Sequence, residues 1–139
     1  MRSLKLRLLV ILAGLSGAAA APALLALTLS LEGCRFPPPN PNPTTFAECA
    51  TEEARAMWPS ILPRVNQVLL TGGADWEMSL LSLVGQYGYG LVRCALGDQA
   101  PKMAEQARDN PADTVSAQGA ARAREFAAKY DAQFGFRGN

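Results

Sequence analysis

The sequence predicts an all-α protein: a small bundle of four to five helices that follows an N-terminal apolar helix. Three observations lead there. Apolar residues recur at intervals of three and four between residues 44 and 134. No stretch alternates apolar with polar side chains as a half-buried strand would, and no internal repeat is evident. The breaks between periodic stretches carry capping hydroxyls, prolines and glycines, the residues that start and stop helices.

The N-terminal element is basic and then apolar. Arg2, Lys5 and Arg7 precede a run without charge from Leu8 to Leu31, and no acid stands among them. Positive residues hold the near end in the cytoplasm, so the rest of the chain is expected to cross a membrane. A run of 24 residues spans roughly 36 Å as a helix, enough for a bilayer and longer than the apolar part of a typical export signal. Gly14, Gly17, Ala18 to Ala21 and Pro22 interrupt its apolar surface, as in processed signals. The run closes on Leu31-Glu32-Gly33-Cys34, which resembles the lipobox of bacterial lipoproteins: an aliphatic residue, two small ones and a cysteine. Leu31, Gly33 and Cys34 match, whereas Glu32 departs from the small uncharged residue usual there. The resemblance covers residues 1–34. It implies that Cys34 is lipidated and becomes the mature N-terminus. Two other readings of the same residues stand beside it: an uncleaved transmembrane anchor, and ordinary secretion. The resemblance also implies a bacterial envelope location facing the periplasm. Arg35 is not the aspartate tied to inner-membrane retention in enteric members, which favours the outer membrane.

With Cys34 assigned to lipid, Cys49 and Cys94 remain as a pair, and in an exported domain an even pair reads as one disulfide. A chain starting at Cys34 has 106 residues, sufficient for one small domain that benefits from such a cross-link. Its charge is close to neutral: +1 for the whole chain and −1 once residues 1–33 are removed. No basic field points to nucleic acid. The chain contains no histidine, which excludes Ser-His-Asp and Cys-His catalysis and histidine-ligated zinc. Three cysteines exclude a four-thiolate site within one chain. Neither a metal, a cofactor nor an enzyme activity is expected.

Arg35 to Pro43 reads RFPPPNPNP, which favours polyproline II and a semi-rigid spacer between membrane and domain. The predicted organisation is thus a signal or anchor at 1–33, a lipidation site and spacer at 34–43, and a helical domain at 44–139. Thr45-Phe46-Ala47-Glu48 fits a capping box that opens a helix running to about Met57. Glu48, Glu52 and Glu53 are read as solvated acids that offset the helix dipole rather than as a metal site. Trp58-Pro59-Ser60 is expected to break the chain and Ser60 to cap a second helix, with Ile61, Val65, Val68 and Leu69 on its inner face and Thr71-Gly72-Gly73 as its end.

The third helix is predicted from about Asp75 to Leu96, with Trp76, Leu80, Leu83, Val84, Tyr87, Leu91 and Cys94 along one stripe and Gly97 as its stop. Gly85, Gly88 and Gly90 inside it are read first as places of close helix approach, then as a hinge or ligand notch, or as a break between Tyr87 and Gly90. The apolar stretch Met78 to Val92 is too short and glycine-rich for a membrane span. A short helix from Asp98 to Arg108, with Pro101 in its first turn, is ended by Asn110-Pro111. The last helix is expected from about Pro111 to Gln133, with Val115, Gly119, Arg122, Phe126, Tyr130 and Phe134 inward. Its small, basic middle, Ala120 to Arg124, is expected to pack poorly or lie exposed, and Gly135 to Asn139 to fray. Arg122, Arg124, Lys129, Tyr130 and Arg137 read as a solvated face.

The function this favours is a membrane-tethered helical protein with a structural or adaptor role, holding a protein partner of the envelope near the membrane. A second reading is a small-ligand or lipid binding module whose Trp58, Trp76, Tyr87 and Tyr89 enclose an apolar cavity. A third is a membrane-active or phage-lysis-type component. A hydrolase built on carboxylates such as Asp75 and Glu77 comes last.

Overall fold

The structure, a computed structural model, describes residues 40–139; the apolar run, the lipobox-like segment, Cys34 and the first part of the proline-rich stretch lie outside the described residues. Among the described residues there are six helices and no strand. They are α1 (Phe46–Cys49), α2 (Glu52–Arg55), α3 (Trp58–Thr71), α4 (Trp76–Tyr87), α5 (Tyr89–Asp109) and α6 (Thr114–Phe134), with a 3-10 turn (Gly73–Asp75) before α4. The all-α bundle read from the sequence is therefore the fold. None of the described helices is long and apolar enough to cross a membrane.

The first predicted helix is instead two single turns. Thr45 accepts from the Glu48 amide (3.2 Å) as a capping box requires, but the Glu48 carboxylate reaches back to the Thr44 amide (2.6 Å). Thr51 then interrupts. Its hydroxyl donates to the Glu48 carbonyl (2.8 Å) and accepts from the Ala54 amide (3.4 Å), so the chain is re-capped after one turn. Trp58-Pro59-Ser60 does not break the chain but opens α3, with Pro59 in the first turn, where its missing N–H costs nothing. Ser60 is inside the helix, its hydroxyl bonded to the Met57 carbonyl (2.7 Å), and Pro63 lies one turn further in.

The long third helix divides at Gly88, whose φ of 92° and ψ of 151° are open to glycine and strained for other residues. Beyond it α5 runs unbroken through Gly97, Asp98 and Pro101, so the stop at Gly97 and the separate helix at 98–108 are both corrected. Gly97 keeps a helical backbone, and the space of its absent side chain is filled by the Phe46 ring. Asn110 ends the helix as expected.

α5 is the central element and packs against α6, α3 and α4. The largest fully buried side chains are Phe126, Ile61, Leu69, Leu80, Leu91, Leu96, Val65 and Val92. α6 starts at Thr114 because the Asp113 carboxylate accepts from both the amide (2.9 Å) and the hydroxyl (2.7 Å) of Ser116. Its middle is only partly as expected: Ala121 and Arg124 are exposed, but Ala120 and Ala123 are each 2% exposed, whereas Val115, expected inward, is exposed at 49%. Small residues there bring the helices close. A Cβ on Gly119 would lie 2.8 Å from the Met103 sulfur and 3.2 Å from Leu70. Gly135, at φ 73°, gives α6 a left-handed stop.

Candidate functional site

The residues before α1 and after α6 meet at one place on the bundle. The Phe46 amide donates to the Gly138 carbonyl (3.1 Å) and the Arg137 amide to the Thr44 carbonyl (2.8 Å), a parallel bridge of one residue pair. The expected fraying of Gly135 to Asn139 is thus corrected, since Phe136 is buried and the chain beyond it is hydrogen-bonded. The last two residues of the proline-rich stretch are built into the same place. Pro43 is buried, and Asn42 accepts from the Gly90 amide (3.0 Å) through its side-chain oxygen. Asn42 thereby satisfies one of the free N–H groups in the first turn of α5. Gly90 is small because Pro43 lies on it: a Cβ there would be 2.5 Å from the Pro43 nitrogen and 2.7 Å from its Cδ. The spacer therefore ends before Asn42, not at Pro43.

Around this junction α5 supplies a tight polar and aromatic cluster. The Arg93 guanidinium lies 4.8 Å from the centre of the Phe46 ring and 5.0 Å from that of Phe136, and the two rings meet edge to face. The same guanidinium forks onto Asp131 of α6, with Nε 3.0 Å from one oxygen and Nη2 3.4 Å from the other. The Tyr89 hydroxyl donates to that carboxylate at 2.5 Å, and its ring stacks on Phe134 at 4.6 Å. Burial, and then the hydrogen bond to Asp131, push the Tyr89 phenol far above the ordinary tyrosine range. Cys49 and Cys94 close the junction covalently: their sulfurs are at bonding distance, with Cα atoms 5.7 Å apart. This fastens α1 to α5, on the buried face where the stripe of apolar residues places Cys94. Chemically the cluster is a clamp, in which a salt bridge, a guanidinium packed on two aromatic rings and a cross-link hold the incoming chain against the bundle.

The other residues singled out from the sequence are dispersed. Trp58 donates its indole N–H to the Cys49 carbonyl (3.0 Å), and the Tyr87 hydroxyl accepts from Arg64 (2.9 Å). Tyr89 belongs to the clamp, and only Trp76 of the four aromatics lines a surface depression of ≈ 440 Å³ with Gly73, Ala74, Gln118, Ala121, Arg122 and Glu125. The four thus do not enclose one cavity. Glu77 accepts from Lys129 and from the Tyr130 hydroxyl, both at 2.5 Å. These bonds hold its carboxyl below the usual range and raise both partners, so the pair Asp75 and Glu77 is not a free carboxylate dyad. Arg122, half-buried, donates to the carbonyls of Leu69 (2.9 Å) and Gly73 (3.2 Å), tying α6 to the end of α3 and to the turn that follows it. No group of three or more potential metal ligands occurs among the described residues.

Sequence reasoning missed Asn42, Pro43, Arg93, Asp131 and Phe136. One cue was present: Arg93 adjoins the disulfide cysteine Cys94, so it had to lie near whatever Cys49 brought with it. Against family models, curated proteins and solved structures, no match to this chain is found.

Proposed function

We propose that this chain is a lipid-anchored protein of the bacterial envelope whose helical domain serves as a structural adaptor. The observation that carries the reading is the clamp. Residues 42–44, where the proline-rich stretch enters the domain, are fastened to it: Asn42 and Pro43 are seated on Gly90, and the Thr44 carbonyl accepts from the Arg137 amide. The pairing of Cys49 with Cys94 supports an oxidising compartment and leaves Cys34 as the remaining cysteine, directly after the apolar run. The proline-rich composition of residues 35–41, between Cys34 and the clamp, supports a semi-rigid spacer. Its partner is an envelope protein that must be met at a set height above the bilayer.

The test is expression of the wild type and Cys34→Ser in a bacterial host fed a labelled fatty acid, followed by fractionation. The wild type takes up label and partitions with membranes. Cys34→Ser takes up none and keeps its full-length N-terminus. Equal labelling, or equal processing of the two, refutes the lipid anchor. Insertion of a flexible Gly-Ser segment at residue 38 then addresses the spacer: loss of the envelope protein that chemical cross-linking in membranes couples to the wild type supports it, and an unchanged cross-linked product counts against it.

A further inference from the structure

Residues 42–57 lie on the bundle as a strap rather than as part of its core. Their only regular structure is α1 and α2, single turns too short to be stable by themselves. Most of their side chains are exposed; Pro43, Thr45, Cys49 and Ala54 are the buried ones. Of these, Ala54 alone belongs to the buried apolar cluster, whose other members all come from Ile61 onward. The core is therefore complete without the strap.

The holds on the strap are few and differ in kind. Asn42 accepts from the Gly90 amide, and two backbone bonds join Thr44 and Phe46 to Arg137 and Gly138. The Phe46 ring fills the space beside Gly97 and meets Phe136 edge to face, and the Trp58 indole donates to the Cys49 carbonyl. Each of these is a single weak contact at the rim of the bundle. The one covalent hold is the bond from Cys49 in α1 to Cys94 in α5. It sits at the middle of the strap, where Ala47, Glu48 and Ala50 around Cys49 are exposed, so the bridge is approached from the strap side.

We infer that the Cys49–Cys94 bridge is a redox latch on this strap, opened by an exported protein dithiol. A thiolate of that partner attacks the Cys49 sulfur, and Cys94 leaves as a thiolate and takes up a proton. The partner's second thiol then displaces Cys49 from the mixed disulfide. Two electrons and two protons pass to this chain, which ends with two thiols, and the partner ends with a disulfide. The strap then detaches while α3 to α6 stay packed, and the chain leaves the bundle at Trp58 instead of Asn42. Residues 42–57, fully extended at about 3.3–3.6 Å each, add up to about 55 Å of reach. That gain in reach rests on the membrane tether proposed above; the latch itself does not, and its test makes no use of the anchor.

The experiment is amide hydrogen exchange of the purified full chain in detergent, read by its N–H resonances. Four samples are compared: the oxidised protein, the protein opened by a water-soluble phosphine, the protein treated with an excess of reduced thioredoxin, and the double variant Cys49→Ala, Cys94→Ala, in which no reagent has to reach the sulfurs. The reporters are the amides of Phe46, Ala50, Arg55 and Ala56 on the strap and those of Gly90 and Arg137, which the strap covers. Leu69, Leu96 and Phe126 report the core. In the oxidised protein both sets are protected. In the other three samples the strap reporters are expected within about tenfold of the rate of an unstructured chain, with the core amides at least about a hundredfold slower. If the strap reporters keep their oxidised protection in the double variant, the weak contacts suffice and the bridge is no latch. If the core amides lose protection together with the strap, the bridge staples the whole domain, and the proposal is overturned. A bridge that the phosphine opens and the dithiol leaves closed overturns it as well.

Discussion

Gly90→Ala tests the clamp at its tightest point. Alanine in place of glycine in a helix is ordinarily stabilising, by up to about 1 kcal/mol. At Gly85 that gain is expected in full, because a Cβ there meets nothing within 4 Å. At Gly90 the same atom would lie 2.5 Å from the Pro43 nitrogen and 2.7 Å from its Cδ, roughly 1 Å inside ordinary carbon contact. Neither side yields freely. Pro43 is held by the Asn42 bond to Gly90 on one side and by the Thr44 bond to Arg137 on the other. Overpacking of this kind costs about 1–3 kcal/mol, which exceeds the propensity gain. The two variants should therefore differ by about 2 kcal/mol, or about 1 M in their urea midpoints for a domain of this size. Chemical unfolding of both, followed by far-UV circular dichroism, reads the difference. If Gly90→Ala is stabilised as much as Gly85→Ala, Pro43 is not seated on α5 and the clamp does not exist.

Further consequences are equally direct. Opening the Cys49–Cys94 bridge removes a loop of 45 residues' separation, so reduction should lower stability by about 4 kcal/mol in the chain-entropy treatment; a melting curve indifferent to reductant would contradict it. Arg93→Ala leaves Asp131 without its fork and removes the guanidinium from both rings, and should cost about 3 kcal/mol, with Arg93→Lys recovering less than half because an ammonium cannot match the bidentate geometry. Glu77 has a folded pKa below its ordinary 4.5, so its contribution is complete above that value and fades as pH falls through the folded one. Lys129 and Tyr130 are raised above 10.5 and 10.0, so theirs is complete below those values and fades as pH rises. Glu77→Gln should flatten both edges of the stability profile, and an unaltered profile in that variant would remove the cluster from the account.

The helical class was legible because residues such as Ile61, Val65 and Leu69 repeat on one face, and the stripe that ends in Cys94 placed the bridge correctly. Helix ends were less legible. Thr51 and Gly97 show why: a threonine re-caps a chain only if the preceding turn presents its carbonyl, and a glycine stops a helix only if nothing occupies its vacant side. At Gly97 the Phe46 ring does, and that contact spans half the domain. The middle of α6 misled for a related reason, since alanines that look weakly apolar in sequence become core where two helices approach closely. The clamp was least legible. Asn42, Arg93, Asp131 and Phe136 carry no periodic pattern, and only the tertiary fold brings them together.

The most direct test of the whole account is the intact mass of the protein extracted from native membranes, measured with and without reduction. A chain beginning at Cys34, carrying acyl mass and gaining two hydrogens on reduction, is the predicted result. A full-length chain without acyl mass would contradict it, because residues 8–31 would then remain as the anchor and Cys34 would not be the point of attachment.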